Sequence, residues 1–323
     1  MTRTEDPAES SEFARPGDHE WRAGGVRISD FSPIRNSGQM LIVVLWVMGL
    51  VSLAVGSLTM RSTHELRLAR IPLGSVQRRA ITQAALQQAI RVIQQDTQES
   101  PDVDTLQDAW ATGVEQSTNQ QILQEVPVGS GRFSIGARSG EEFHVGMMDE
   151  SRKLDLNKAG QDQLQRLIIS VDAGGSSDAG EIAQAILDWR DEPVGESCNK
   201  DQLGYECHNG PFDSVDELRL VPGMTTSLFD ALEPYVTVYG SDAVNVNTAD
   251  PLVLKAAGLD DSQVDTILQQ RDAKQPITSY PGWGVNSHAF TVPIESEVEH
   301  AAGRARLLAV IDRDGRILAW SPQ

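Results

Sequence analysis

The chain has 323 residues, with 46 Asp and Glu against 27 Lys and Arg, a formal net charge of −19. Such a length predicts about two domains and enough chain to bury real cores. The acidic excess argues against binding nucleic-acid phosphate or anionic lipid heads and favours cations or basic partners. At 5% aromatic content there is little material for base-stacking platforms.

Met40 to Met60 reads MLIVVLWVMGLVSLAVGSLTM and contains no charge. About 20 apolar residues, rising 1.5 Å each, cross a hydrocarbon core. A membrane span is therefore expected rather than a buried core helix. A signal peptide would have a shorter apolar region and a small-residue cleavage site after it. Charge does not orient the span, because Arg27 and Arg35 precede it while Arg61, Arg67 and Arg70 follow.

Beyond it, Leu66, Ala69, Leu73, Val76, Ala80, Ala84, Ala85, Ala89, Ile90 and Ile93 recur at helical spacing, an amphipathic stem with a narrow Ala-rich stripe. Pro72 and Gly74 are expected to kink it. The stripe suits packing on neighbouring stems over one portion and on the chain's own globular part over another. The polar run from Gln94 to Gln124 reads as helix or loop, with no periodicity to decide.

Arg132–Arg138 and Glu142–Met148 alternate around Ser139-Gly140 and predict a β-hairpin. An internal echo follows. Leu156-Asn157-Lys158-Ala159 returns as Val246-Asn247-Thr248-Ala249, and Ala185 to Asp191 (AILDWRD) returns as Thr266 to Asp272 (TILQQRD). The expectation is a degenerate duplicated helical unit, with an Asn or Thr capping the helix that follows each copy. Between the copies, Ser214 and Glu217 have capping-box spacing, and Val221-Pro222-Gly223-Met224 reads as the turn of a helix-hairpin-helix. Hairpins of that kind bind phosphate through backbone N–H groups backed by Lys or Arg. Thr225 to Tyr235 has no basic residue and carries Asp230 and Glu233, which favours a scaffold role. Near the C-terminus, Ala289–Ile294, Ala305–Ile311 and Arg316–Trp320 read as strands, the last two joined by a turn at Arg313-Asp314-Gly315.

Catalytic sets do not emerge. The six His are scattered, without zinc spacing or H-E-x-x-H, and neither G-x-S-x-G nor a P-loop occurs. Cys198 and Cys207 lack redox C-x-x-C spacing. They are a free dithiol if the segment is cytosolic and a disulfide if it is exported, worth roughly 2–3 kcal/mol in the chain-entropy view. Around them crowd Asp188, Asp191, Glu192, Glu196, Asp201 and Glu206. Clustered carboxylates suit Ca²⁺, which takes 6–8 oxygen ligands; a solvated acidic loop is the other reading.

Several of these segments together resemble one family. Gly38 to Trp46, Asp149-Glu150 through Ala159, Ala185 to Asp191, Asn209 to Gly223 and Asn245 to Ala249 match, in order and spacing, the pattern of the protein K pseudopilins of type II secretion. The resemblance covers roughly residues 36–275, and the C-terminal strands weakly. Two departures stand out: the leader is long and acidic, and the cysteine segment replaces a more Asp-rich loop. Most pseudopilins carry Glu at the fifth mature position, where this chain has Val43. The protein K family lacks that Glu, as a subunit with nothing ahead of it would, since an unpaired carboxylate in lipid costs several kcal/mol.

The resemblance implies an α/β (α+β) fold: a pilin-like N-terminal helix on an antiparallel sheet, with a large all-helical domain of helix-hairpin-helix or SAM-like repeats inserted between strands. The implied division is a leader over 1–38, a transmembrane and stem helix over 39–98, a pilin-like domain over 99–153 and 276–323, and an insertion over 154–275 with two related units. It further implies cleavage by prepilin peptidase after Gly38, N-methylation of Gln39, and calcium in the insertion. The chain would be a single-pass inner-membrane protein with its bulk in the periplasm. It would cap the pseudopilus tip with other minor pseudopilins, on the inner-membrane secretion platform. No enzyme activity and no nucleic-acid partner are expected. The alternatives are a membrane-tethered DNA receptor of the competence type and a minor pilin of a type IV pilus.

Overall fold

The computed structural model describes residues 37–172, 178–191, 204–205, 207–299 and 303–322; side chains at 37–39 and 58–73 lie outside that description. The expected leader up to residue 36 and the Pro72 side chain of the expected kink are thus outside the described residues. The chain divides into two units, Met1–Glu65 and Leu66–Gln323. Helix α1 (Ser37–Glu99) supplies the described part of the first unit. Its uncharged stretch Met40–Ser57 is 18 residues long, ~27 Å at helical rise. Every side chain along it is exposed, Trp46 and Leu53 by 70% and more. Apolar area left in water costs ~25 cal/mol per Å², and a lipid surround removes that cost. This helix is long and apolar enough to anchor the chain in a membrane.

Among the described residues, the second unit has two hydrophobic cores. One lies where the C-terminal half of α1 packs on a sheet. Ile81, Ala85, Leu86, Ala89, Val92 and Ile93 are buried there with Trp110, Phe133, Ile135, Phe290, Ile294 and Ile311. The row Ile81–Ala85–Ala89 advances by four, one face of a helix. Val76 and Ala80 lie off that row and are exposed, which narrows the expected stripe. The polar run after the helix resolves into α2 (Ala109–Thr112) and a small ladder of β1 (Val114–Glu115) and β2 (Gln120–Gln121).

The main sheet is built from β3 (Val126–Val128), β4 (Gly131–Ser139), β9 (Ala289–Val298), β10 (Arg304–Asp312) and β11 (Ile317–Pro322), in the order β11-β10-β9-β4-β3. All pairings are antiparallel. β5 (Glu142–Val145) pairs with β4, and β6 (Met148–Asp149) pairs with β9. The hairpin expected at Ser139-Gly140 forms as β4–β5, and the C-terminal hairpin as β10–β11. Thr82 and Ser296 share a hydroxyl hydrogen bond of 2.8 Å between α1 and β9.

Between β6 and β9 the chain leaves the sheet. It forms β7 (Leu154–Asp155), α3 (Gln161–Val171), α4 (Ala179–Arg190), a 3-10 segment at Val215–Leu220, α5 (Thr226–Leu232), β8 (Val236–Thr237), α6 (Pro251–Ala257) and α7 (Asp261–Asp272). β7 and β8 form a short parallel pair, so the described insertion is helical but not purely so. Its own core gathers Leu156, Leu167, Ile186, Trp189, Phe229 and Leu254 with their neighbours.

Candidate functional site

The polar groups that organise this fold belong to the sequence echo. In the first copy, the Asn157 N–H donates to Asp155 Oδ1 at 2.8 Å; in the second, the Asn247 N–H donates to Asn245 Oδ1 at 2.9 Å. Each is a side chain closing its own turn two residues on. Asn157 then grips one later residue from both sides, accepting the Phe212 N–H at 2.7 Å and donating to its carbonyl at 3.0 Å. Asn247 does the same to Ile277, at 2.9 and 3.0 Å.

Arginine completes each copy. Arg190 donates to the carbonyls of Leu156 and Ala159, and Arg271 to those of Val246 and Ala249. The capping expectation is corrected. The caps are Gly160, whose N–H reaches Gln163 Oε1, and Asp250, which accepts from Leu252. Asn157 and Asn247 are already committed to the returning backbone.

The second copy and the Asp149-Glu150 pair meet at a buried polar junction. Asp149 accepts from Ser151 N at 2.6 Å, Thr248 Oγ1 at 2.6 Å and Asn245 Nδ2 at 3.2 Å. Burial pushes its carboxyl up to about 6 against these donors. Glu150 accepts from Thr237 at 2.5 Å, Thr291 at 2.6 Å and Lys153 at 2.8 Å. One carboxylate thus ties β8 of the insertion to β9 of the sheet.

Adjoining this junction, Asp104 is fully buried. Its Oδ2 accepts from Ser287 N at 2.5 Å and from Arg313, while its Oδ1 has no hydrogen-bond partner among the described residues. Asp96 and Asp108 complete a group of three carboxylates, an oxygen of each lying within 4.8 Å of the others. Burial pushes Asp96 up to about 8, reinforced by the nearby carboxylates Asp104 and Asp108, with Arg313 opposing. Asp108 is raised too, chiefly by burial.

Residues 143–241, which contain the first copy and the Asp149-Glu150 pair, match the family model described as type II secretion system protein K. Curated relatives of that description extend the likeness along most of the chain. The Klebsiella pneumoniae protein is 24% identical over 86% of both chains, and the Aeromonas hydrophila protein is 25% identical over 88% of this chain and 96% of its own. The chain is thus similar to type II secretion system protein K, by the family model over residues 143–241 and by curated relatives over most of its length. Over a shorter region, 34% of each chain, the Dickeya chrysanthemi protein K is 35% identical. The fold agrees: a chain of the GspK-GspI-GspJ complex from enterotoxigenic Escherichia coli superimposes with a TM-score of 0.57 at 16% identity, covering 79% of this chain and 99% of its own. The family is one of minor pseudopilins.

Within this fold the expected site residues fall as follows. Gly38 and Gln39 are in the first turn of α1, and Val43 is 60% exposed on it. Of the expected calcium ligands, Glu192, Glu196, Asp201 and Glu206 lie outside the described residues, as does Cys198. Asp188 is buried and accepts from Gln184 Nε2 at 2.8 Å. Asp191 is exposed and held by both ends of the Arg190 guanidinium, which lowers its pKa. Among the described residues, these two join no third ligand. Cys207 is buried and disulfide-bonded. At the helix-hairpin-helix turn, Arg219 lies 3.6 Å over the Phe229 ring and faces Asp216 and Asp230. The nearest cation of that turn is therefore already engaged. The triad Asp96, Asp104 and Asp108 has no local sequence signal beyond its acidity.

Proposed function

We propose that this chain is the minor pseudopilin at the tip of the type II secretion pseudopilus. There it joins other minor pseudopilins, starts the filament and ends its growth, in support of export across the outer membrane. The observation that carries this reading is the duplicated helical body inserted between β6 and β9 of a pilin-like sheet. Such bulk suits a terminal subunit better than one stacked on both sides. Val43 fits the same place, since a terminal subunit has no neighbour ahead to pair with a Glu. The complex of GspK with GspI and GspJ supports minor pseudopilins as partners.

The proposal includes cleavage after Gly38 by prepilin peptidase, N-methylation of Gln39, and release from an inner-membrane store on the secretion platform. The soluble bulk lies in the periplasm, an assignment that the disulfide at Cys207 supports. Calcium in the loop after Asp188 belongs to it as well, with Asp188 and Asp191 as the described members of the set. Mass spectrometry of the membrane-extracted chain tests the processing. A methylated Gln39 terminus is expected, and an intact Met1 counts against the reading. Co-purification with minor pseudopilins of the same secretion system tests the tip role, and purification without any of them opposes it. A mobility-shift assay is expected to show no salt-sensitive DNA binding.

A further inference from the structure

We propose that Asp96, Asp104 and Asp108 form a calcium site where the end of helix α1 meets the following loop, separate from the loop after Asp188. Three observations carry it. An oxygen from each carboxylate lies within 4.8 Å of the others. Ligands held ~2.3–2.6 Å from a calcium ion stand at most about 5 Å apart, so these oxygens fit one coordination shell.

The second observation is Asp104 itself, fully buried, with Oδ1 lacking a hydrogen-bond partner among the described residues. A buried carboxylate oxygen left alone costs on the order of a hydrogen bond or more. Oδ2 is already engaged by Ser287 and Arg313. The two Asp108 oxygens are oriented by the Thr105 N–H and hydroxyl at 2.6 and 3.0 Å, which leaves lone pairs on both.

Charge is the third. Among the described residues, Arg313 is the cation paired with this group, bonded to Asp104 and 3.8 Å from Asp96. With all three carboxyls ionised, one guanidinium leaves a double negative excess, the charge of one divalent ion. A proton shared between Asp96 and Asp104 would answer that pair only, whereas a divalent ion answers all three. Beside Asp96 and Asp108 a cavity of about 50 Å³ is lined further by Glu99, Ser100, Glu115 and Gln116. That is room for one or two waters to complete an oxygen shell. The ion would join the last turns of α1 to the Asp104–Asp108 loop and, through Arg313, to the β10–β11 turn.

The test uses the detergent-solubilised full chain carrying Asp188→Asn and Asp191→Asn, which removes the described carboxylates of the other loop. Terbium is the probe. Trp110, buried two residues along the chain from Asp108, is placed to sensitise its emission. The expected result is terbium emission that calcium displaces, together with a calcium-dependent rise in melting temperature. Adding Asp104→Asn is expected to weaken both by roughly tenfold or more in affinity. Asp108→Asn, in a less buried position, supplies the same readout should Asp104→Asn fail to fold. Emission and melting shift that survive both substitutions, or that are absent before either is made, overturn the proposal. Loss of the loop site alone, with this response intact, bears on the proposed function and not on this one.

Discussion

Asn157 and Asn247 hold the chain in the same way, each bonding both the N–H and the carbonyl of one later residue, Phe212 for the first and Ile277 for the second. The positions differ in burial: Asn247 is 3% exposed and Asn157 only half-buried. Replacing Asn247 by Ala strands the backbone groups of Ile277 away from water, at about 2–4 kcal/mol. At Asn157 water can reach the broken bonds, and roughly half that loss is expected. Urea unfolding of the two Ala variants measures the difference; equal losses would remove burial as the explanation.

Asp149 sets a pH dependence of defined sign. Its folded pKa of about 6 lies above the ordinary carboxylate value because burial penalises the charge. Between the two values the folded state holds more protons than the unfolded chain, so stability falls as pH rises through that window. The full difference is on the order of 3 kcal/mol, present below about pH 4 and lost above about pH 6. Asp104 is the charged neighbour acting on it, in the raising direction. Denaturation at a series of pH values should show this fall in the parent and a flatter profile in Asp149→Asn. Parallel profiles would show that Asp149 does not titrate there.

Glu150 is the clamp between insertion and sheet. Truncation to Ala leaves the Thr237 and Thr291 hydroxyls and the Lys153 ammonium without their shared acceptor. Lys153 has a side chain only 14% exposed, so its stranded charge dominates. The expected loss is about 3 kcal/mol. Hydrogen exchange should quicken first at β8 and at the Thr291 end of β9, where the clamp attaches. Faster exchange spread evenly over both cores would argue instead for a general loss of stability.

Much of this was readable because it is periodic or repeated. Alternation announced β4, β5 and the C-terminal strands, and the Leu156–Ala159 echo announced the duplication. The echo also continues, as Pro211-Phe212-Asp213-Ser214 returns as Pro276-Ile277-Thr278-Ser279. That stretch is hard to see in the letters, because only the backbone of Phe212 and Ile277 is used and the side chains are free to differ. Arg190 and Arg271 were visible as repeated letters, yet nothing local tells that their targets are carbonyls at the start of each copy. Asp96, Asp104 and Asp108 were illegible for another reason. They sit in the polar run Gln94–Gln124, and what brings them together is the returning chain just before β9 and just after β10, where Ser287 and Arg313 lie.

Gly146 offers a test of the packing between α2 and the sheet. Its φ of +117° lies in a region that side chains rarely adopt. A Cβ there would stand 2.0 Å from the Ala111 carbonyl oxygen. Neither side yields easily. The Gly146 N–H is bonded to Ile135 O at 3.0 Å, and the next N–H, of Met147, is bonded to Trp110 O at 2.8 Å. Trp110 is itself packed against Phe290, with ring centroids 5.1 Å apart, so moving α2 disturbs the core. Gly146→Ala is expected to cost about 3 kcal/mol or more, backbone strain and overpacking acting together. Gly129 separates the two causes. It also has positive φ, at +56°, but nothing lies within 4 Å of an added Cβ. Gly129→Ala therefore carries only the left-handed penalty, about 1 kcal/mol. Thermal melting of the two variants should show a large drop for Gly146→Ala and a small one for Gly129→Ala. Similar drops would assign the cost at Gly146 to its dihedral angle and not to the contact with Ala111.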